Sequence, residues 1–209
     1  MNIAVFGANG AIGSHFIRLA LKQGHDLNLY SRKKIDLPET GVKSFVGELS
    51  DFNTIKETIS GTDAVVSFLG PALKYSYPGM PIADGHDNII TAMKQLNISR
   101  FVTIATPAVK FEKDQFSIVT FMPKIMAKLF MPKPYKEIVE VGELTKSSGL
   151  DWTIVRFLAP VDGEPTGNVK VTFGDKKIGF KITREDIAAF ALKELTQRDY
   201  VRSMPIIGS

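Results

Sequence analysis

Cysteine is absent from the 209 residues, which excludes disulfides, thiolate metal sites and a cysteine nucleophile. Histidine is scarce. His15, His25 and His86 lie far apart, and neither HxxH nor HExxH spacing occurs, so a catalytic metal site is not expected. No apolar run is long enough to span a bilayer. The most apolar later stretch, Phe116 to Met131, is interrupted by Pro123, Lys124 and Lys128. The net charge of +4 suits an anionic ligand, but no dense Lys/Arg block suggests a nucleic-acid arm. The chain enters a strand-like run at Asn2 with no charged-then-apolar leader. A cytoplasmic protein with neither membrane nor nucleic-acid partner is the expectation.

What is present reads as one domain over 1–209, large enough to bury a core. Short apolar runs alternate with helical patterns. Strands are expected at Asn2–Phe6, Leu27–Tyr30, Val42–Val46, Ala64–Leu69, Arg100–Ala105 and Trp152–Phe157. Helices are expected at Ala11–Gln23, Asp51–Ile59, Ile82–Leu96 and Lys136–Ser147. A last one starts at Thr183, where Thr183 and Asp186 have capping-box-like spacing. The rhythm predicts a doubly wound α/β domain with a mostly parallel sheet. Two stretches break it and read as substrate-side insertions at the C-terminal edge of the strands. One is 107–134, long and irregular. The other is 159–182, with strand-like pieces at Val169–Phe173 and Ile178–Ile182.

The densest signal is "AVFGANGAIG", residues 4–13. Gly7, Gly10 and Gly13 fall between the first strand and the first helix. There Gly7 permits the tight turn, Gly10 lets the backbone approach a pyrophosphate, and Gly13 lets the helix pack on the sheet. Asn9, Ala11 and Ile12 complete this expected dinucleotide-binding loop. A merely structural turn is the competing reading. At the end of the second strand an acid would bind the ribose 2′-hydroxyl of NAD. The chain offers Ser31, Arg32, Lys33 and Lys34 instead, and no acid before Asp36. NADP(H) is therefore expected in preference to NAD(H), with Arg32 the main ligand of the 2′-phosphate and Ser31 a hydrogen-bond donor. A solvated basic loop is the alternative.

These residues together resemble the atypical short-chain dehydrogenase/reductases, in particular the NmrA-like and biliverdin- or flavin-reductase-like NAD(P)H-binding proteins. "VGELSDFNTIKETISGTDAVVSFLG" is similar to the family's third and fourth strands, with Glu48, Leu49 and Asp51 at the adenine-side turn. "GHDNIITAMKQLNISRFVTIAT", "SGLDWTIVRF" and "ITREDIAAFAL" resemble later segments, although Phe157 stands where proline is common. The resemblance implies a Rossmann fold, with Leu69 and Gly70 shaping the loop beside adenine and ribose. It also places Thr106 near the nicotinamide, as the candidate catalytic residue.

The family's Tyr-x-x-x-Lys pair is missing. Tyr30–Lys34 has the spacing by chance, in the adenine half, and Tyr135 is followed at the fourth position by Val139. A ketone needs that proton donor, whereas a flavin, quinone or linear tetrapyrrole spreads the incoming charge and is protonated later by water. The leading expectation is an NADPH-dependent reductase of a small conjugated acceptor. The rival is a non-enzymatic NADP(H) sensor controlling a protein partner, as NmrA-like relatives imply. A monomer or homodimer is expected. His15 is read as a partly exposed helix residue rather than a phosphate ligand. Tyr75 and Tyr77 are read as acceptor-stacking or loop residues. Phe116–Met131 is read as core packing or a lid ahead of a dimer surface.

Overall fold

Apolar runs of four to six residues are too short for helices and become the central strands. The computed structural model describes residues 1–37 and 40–209. Its elements are β1 Asn2–Phe6, α1 Ala11–Lys22, β2 Asp26–Ser31, β3 Val42–Val46, α2 Phe52–Ile59, β4 Ala64–Ser67, α3 Pro81–Gln95 and β5 Arg100–Ala105. There follow α4 Ile118–Phe130, α5 Pro132–Ser147, β6 Asp151–Arg156, β7 Ala159–Val161, β8 Lys170–Thr172, β9 Lys181–Thr183, α6 Arg184–Gln197 and β10 Ile206–Gly208.

The main sheet has the order β3-β2-β1-β4-β5-β6-β10-β8, and β7 pairs with β9 apart from it. Every pairing is parallel except β8 on β10. The strand order reverses between β1 and β4, the place where open α/β sheets leave a crevice at their carboxyl ends. Successive strand residues face opposite sides, and both sides are covered. Ile3 and Val5 join Phe16, Ala20, Ile187 and Ala191 on the α1/α6 side. Ala4 and Phe6 join Ile55, Ile89, Met93 and Trp152 on the α2/α3/α5 side. No described helix is long and apolar enough to cross a membrane.

Four expectations need correction. Residues 107–134 are not irregular: they contain α4 and the start of α5. Pro132 and Pro134 open α5, where a missing N–H costs nothing, and Pro123 sits inside α4. Phe111 is core, but the aromatic and methionine side chains further along are not, since Phe116, Phe121, Met122, Met126 and Phe130 are exposed. β4 ends at Ser67 and β6 at Arg156, short of the expected Leu69 and Phe157, although Phe68 N–H still donates to the Phe6 carbonyl at 2.9 Å and Phe157 N–H to that of Ala105 at 3.3 Å. In the last third, β10 carries no sequence signal, and of the strand-like piece Ile178–Ile182 only Lys181 and Ile182 pair, in a strand that runs on to Thr183.

Buried polar groups fasten these layers. Arg156, fully buried at the end of β6, grips Asp114 with both Nη atoms at 2.7 and 2.6 Å. It also donates to the carbonyls of Val109 and Met204 at 2.9 Å. Glu137 on α5 is fully buried and accepts from the backbone N–H of Ile82 at 2.6 Å and of Ala83 at 3.3 Å. It thereby serves the first turn of α3, whose own N-cap Met80 makes no side-chain bond. The Thr183–Asp186 cap forms as expected, Asp186 N–H donating to Thr183 Oγ1 at 3.0 Å.

His86 on α3 lies beneath the end of β4. Its Nδ1 is 2.8 Å from the Ile82 carbonyl, which can only accept, so Nδ1 carries the proton. Nε2 is then an acceptor facing two buried hydroxyls, Ser67 Oγ at 3.1 Å and Thr103 Oγ1 at 3.2 Å, of which Thr103 also reaches the Ser67 carbonyl at 3.4 Å. Complete burial pushes the His86 pKa down to about 4, against smaller upward pulls from the Ile82 carbonyl and Glu137.

Two outcomes follow from these groups. Between pH 6.5 and about 4 the unfolded chain protonates this histidine and the folded chain does not. Stability is therefore fully present above pH 6.5 and lost as the pH falls, by up to about 3 kcal/mol. Urea unfolding across that range should show the loss, and His86→Gln should flatten it relative to the natural chain. Asp114→Ala leaves a buried guanidinium without its carboxylate and should lower stability by about 3 kcal/mol. It should appear as a lower urea midpoint with little change in slope.

Candidate dinucleotide site

The glycines of the β1–α1 loop separate into two kinds. Gly7 has φ +77°, and a Cβ there would lie 2.8 Å from the Phe68 carbonyl carbon. Gly13 is pressed on the loop, with a Cβ falling 2.3 Å from the Gly7 oxygen. The fold itself demands both. Gly10 is different. Its φ of −76° and ψ of 161° suit any residue, and a Cβ would meet only the Gly7 oxygen, at 3.1 Å. A shift of a few tenths of an ångström would relieve that contact. The space beside Gly10 is otherwise open, and the fold itself does not require a glycine there.

Gly10 is also the N-cap of α1 and supplies no side-chain acceptor. The first turn carries no acid, Ala11 is exposed and Ile12 half-buried. Asn9 is exposed at the same rim. Free N–H groups and the positive end of the helix dipole thus converge on the crevice, as an anionic group requires. His15 does not join them. Its Nδ1 is 3.3 Å from Glu185 on α6, which also holds Arg18 at 2.6 Å.

The adenine-side rim comes from the ends of β2 and β3. Arg32 is exposed and makes no ion pair or hydrogen bond among the described residues. Lys34 is 3.4 Å from Asp36. Ser31 Oγ donates to the Lys33 carbonyl, so serving a phosphate would require its hydroxyl to rotate away. Tyr30 is buried, and its hydroxyl donates to the Glu48 carbonyl at 2.7 Å. Burial, with the charges of Asp51 and Glu48, pushes its pKa up to about 12. The chance Tyr30–Lys34 spacing is therefore structural. Leu49 is held by Asn88 Nδ2 on its carbonyl (2.8 Å), and its side chain packs over Gly85, where a Cβ would come within 2.9 Å. The Glu48 side chain is exposed. Asp51 is the N-cap of α2, accepting from Thr54 N–H at 3.1 Å.

The middle of the crevice is bounded by β4 and β5. Leu69 is half-buried and Gly70 exposed, and the Leu69 N–H reaches Ser67 Oγ at 3.4 Å. Thr106 is exposed directly after β5. Its Oγ1 accepts from Ala108 N–H at 3.3 Å and its carbonyl from Val109 N–H at 3.1 Å. Its own O–H has no acceptor among the described residues and points no obligation inward. α5 presses close to this turn: a Cβ on Gly142 would fall 2.2 Å from Val109 Cγ1.

No described residue takes the place of the missing Tyr–Lys pair. Tyr135 is half-buried in the core cluster with Val139. Tyr77 donates to Glu137, and burial together with that carboxylate pushes its pKa up. Tyr75 is exposed. No group of His, Asp or Glu among the described residues is placed to hold a metal. Sequence reading missed the support under the crevice, namely His86 with Ser67 and Thr103. A signal existed, since each hydroxyl is a lone polar residue inside an apolar strand, in "AVVSF" and "FVTIA".

A curated relative, the photosystem II assembly factor Ycf39 of Cyanophora paradoxa, is 25% identical across the whole chain. The chain spans 64% of that relative's length. Among solved structures, an anaerobillin reductase, ChuY, of Escherichia coli O157:H7 matches with a TM-score of 0.80 and 20% identity, covering 100% of this chain and 97% of that one. A short-chain dehydrogenase/reductase of Veillonella parvula DSM 2008, in complex with NADP, also gives 0.80, at 15% identity, covering 100% and 94%. At such identities the likeness is one of fold. The sequence profile described as NAD(P)H-binding matches residues 7–198, from the first glycine of the loop to the end of α6. With that match over nearly its full length, the chain belongs to the NAD(P)H-binding family of Rossmann proteins.

Proposed function

We propose that the protein is an NADPH-dependent reductase of a small conjugated acceptor such as a flavin, a quinone or a linear tetrapyrrole. The observation that carries the dinucleotide part is Gly10, a glycine that the fold does not need and a close-approaching pyrophosphate does. The N–H groups at Ala11, Ile12 and Gly13 bind the phosphates, with Asn9 at the rim. Arg32 pairs with the 2′-phosphate, and Glu48 and Leu49 border the adenine. Leu69 and Gly70 line the middle of the site.

Bound there, the nicotinamide supplies a hydride. The role we assign to Thr106, exposed after β5, is to donate its hydroxyl proton to a ring substituent or to the acceptor and so fix orientation. Among the described residues no tyrosine is poised to protonate an alkoxide, which favours acceptors that delocalise charge. Support also comes from the reductase and the NADP complex among the similar folds.

The expected outcomes are specific. Gly10→Val should abolish binding of both dinucleotides while the fold survives, as read by isothermal titration and circular dichroism. Arg32→Ala should remove a preference for NADPH of roughly tenfold to hundredfold by weakening NADPH alone. Arg32→Asp should reverse that preference. Equal weakening of NADH and NADPH would instead place Arg32 on the adenine. Finally, the protein should oxidise NADPH steadily with at least one member of a panel of flavins, quinones and linear tetrapyrroles. Tight NADPH binding with no turnover on any of them would make the protein a dinucleotide sensor rather than a reductase.

A further inference from the structure

A water-exposed helix ordinarily turns its apolar stripe inward. α4 does the reverse. Ile118, Phe121, Met122, Ile125, Met126, Leu129 and Phe130 recur at three- and four-residue steps, so they share one side of the helix. All seven are exposed, Ile118 at 60%, Leu129 at 65% and Phe130 at 63%. Phe116, just before the helix, is 78% exposed and stacks on Phe121 with ring centroids 5.5 Å apart. Of the thirteen strongly exposed large apolar side chains among the described residues, eight lie in 116–130. Such a patch marks a contact surface.

The charge around the stripe has one sign. Residues 115–136 contain Lys124, Lys128, Lys133 and Lys136 and no Asp or Glu. Lys124 and Lys128 follow one another by a helical turn along one edge of the stripe. Burial, helped by Lys110 and Lys128, holds the Lys124 ammonium below its usual pKa, with Asp114 pulling the other way. That aspartate is already bound to Arg156. At the N-terminal end of α4, Lys176 and Lys177 share a small cavity of about 120 Å³ with Phe116, Ser117 and Thr120. Asp175, the acid beside them, turns its carboxylate to Thr172 Oγ1 at 3.0 Å and Phe173 N–H at 2.9 Å.

We infer that α4 docks on the surface of an anionic lipid bilayer, lying in the interface with its apolar stripe among the acyl chains and its lysines at the headgroups. At 13 residues it is too short to span and well suited to lie flat. The expectation of no membrane partner rested on span length, which does not bear on this mode. A second copy fits less well. A symmetric contact sets the same patch against itself, bringing lysine edges together with no acid from 115–136 to pair them.

The test is flotation of the full chain with vesicles of phosphatidylglycerol and phosphatidylcholine, against vesicles of phosphatidylcholine alone. Binding is expected to the anionic vesicles and to fall with added salt. Ile125→Asp with Leu129→Asp, both exposed, should abolish it while thermal unfolding and NADPH binding stay unchanged. Removing the charges at Lys128, Lys176 and Lys177 by substitution to Gln should weaken partitioning about fivefold per lysine. The inference is overturned by any of three results: no flotation with anionic vesicles, equal flotation with neutral ones, or unaltered flotation of the aspartate variant. It is overturned equally if vesicles have no effect and that variant converts a dimer to a monomer in sedimentation velocity.

Discussion

The contact between Gly7 and the Phe68 backbone is the constraint around which this molecule is arranged. The chain leaving β1 must turn in the left-handed region and pass within touching distance of the chain leaving β4. Any side chain at Gly7 would be both strained and in collision. Because that crossing closes without side chains, α1 begins directly over the end of β1, and Gly13 settles on the Gly7 oxygen. The crevice at the reversal of strand order, the aim of the α1 N–H groups and the packing of α1 on α6 all follow from it.

How far the sequence discloses this depends on the range of the interaction. β1, β3 and β5 are legible to the residue, because each is a short segment rich in β-branched and aromatic residues that stops at Gly7, Gly47 or Thr106–Pro107. The β1–α1 glycines, the basic end of β2 and Thr106 are legible as loop positions for the same local reason. α4 is obscured because Pro123 interrupts it, and because methionine and phenylalanine at helical spacing ordinarily signal burial. Here the stripe points outward, a fact that belongs to tertiary placement alone. β10, a strand of three residues, has no periodic signature and owes its existence to β6 and β8 on either side.

The polar network lies beyond local reading altogether. Glu137 serves a backbone N–H 55 residues away, and Arg156 meets Asp114 across 42. Glu137 shows why the cost of burial is accepted: α3 begins at Met80 and Pro81, which offer no cap, so a carboxylate from the neighbouring helix completes the first turn. The same bond fixes α5 against α3, and thus the wall behind Thr106. His86 does the equivalent work under β4 and β5. The ligand-facing loops rest on these groups, which never approach the crevice.

Arg156 has a consequence for how the acceptor side can breathe. It binds the 109–114 loop, β6 and the strand-like approach to β10 into one unit, and Gln115 N–H is tied in turn to the Phe173 carbonyl at 2.7 Å. Local opening of that loop would strip several bonds from a buried cation, so its hydrogen-bonded amides, those of Val109, Phe111 and Asp114, should exchange with solvent slowly. α4 leaves this unit at Phe116–Ser117 and runs into α5 through Met131, whose N–H donates to the Ala127 carbonyl and whose carbonyl accepts from Tyr135 N–H, both at 2.9 Å, so the apolar helix is carried between the Arg156 cluster and the wall formed by α5.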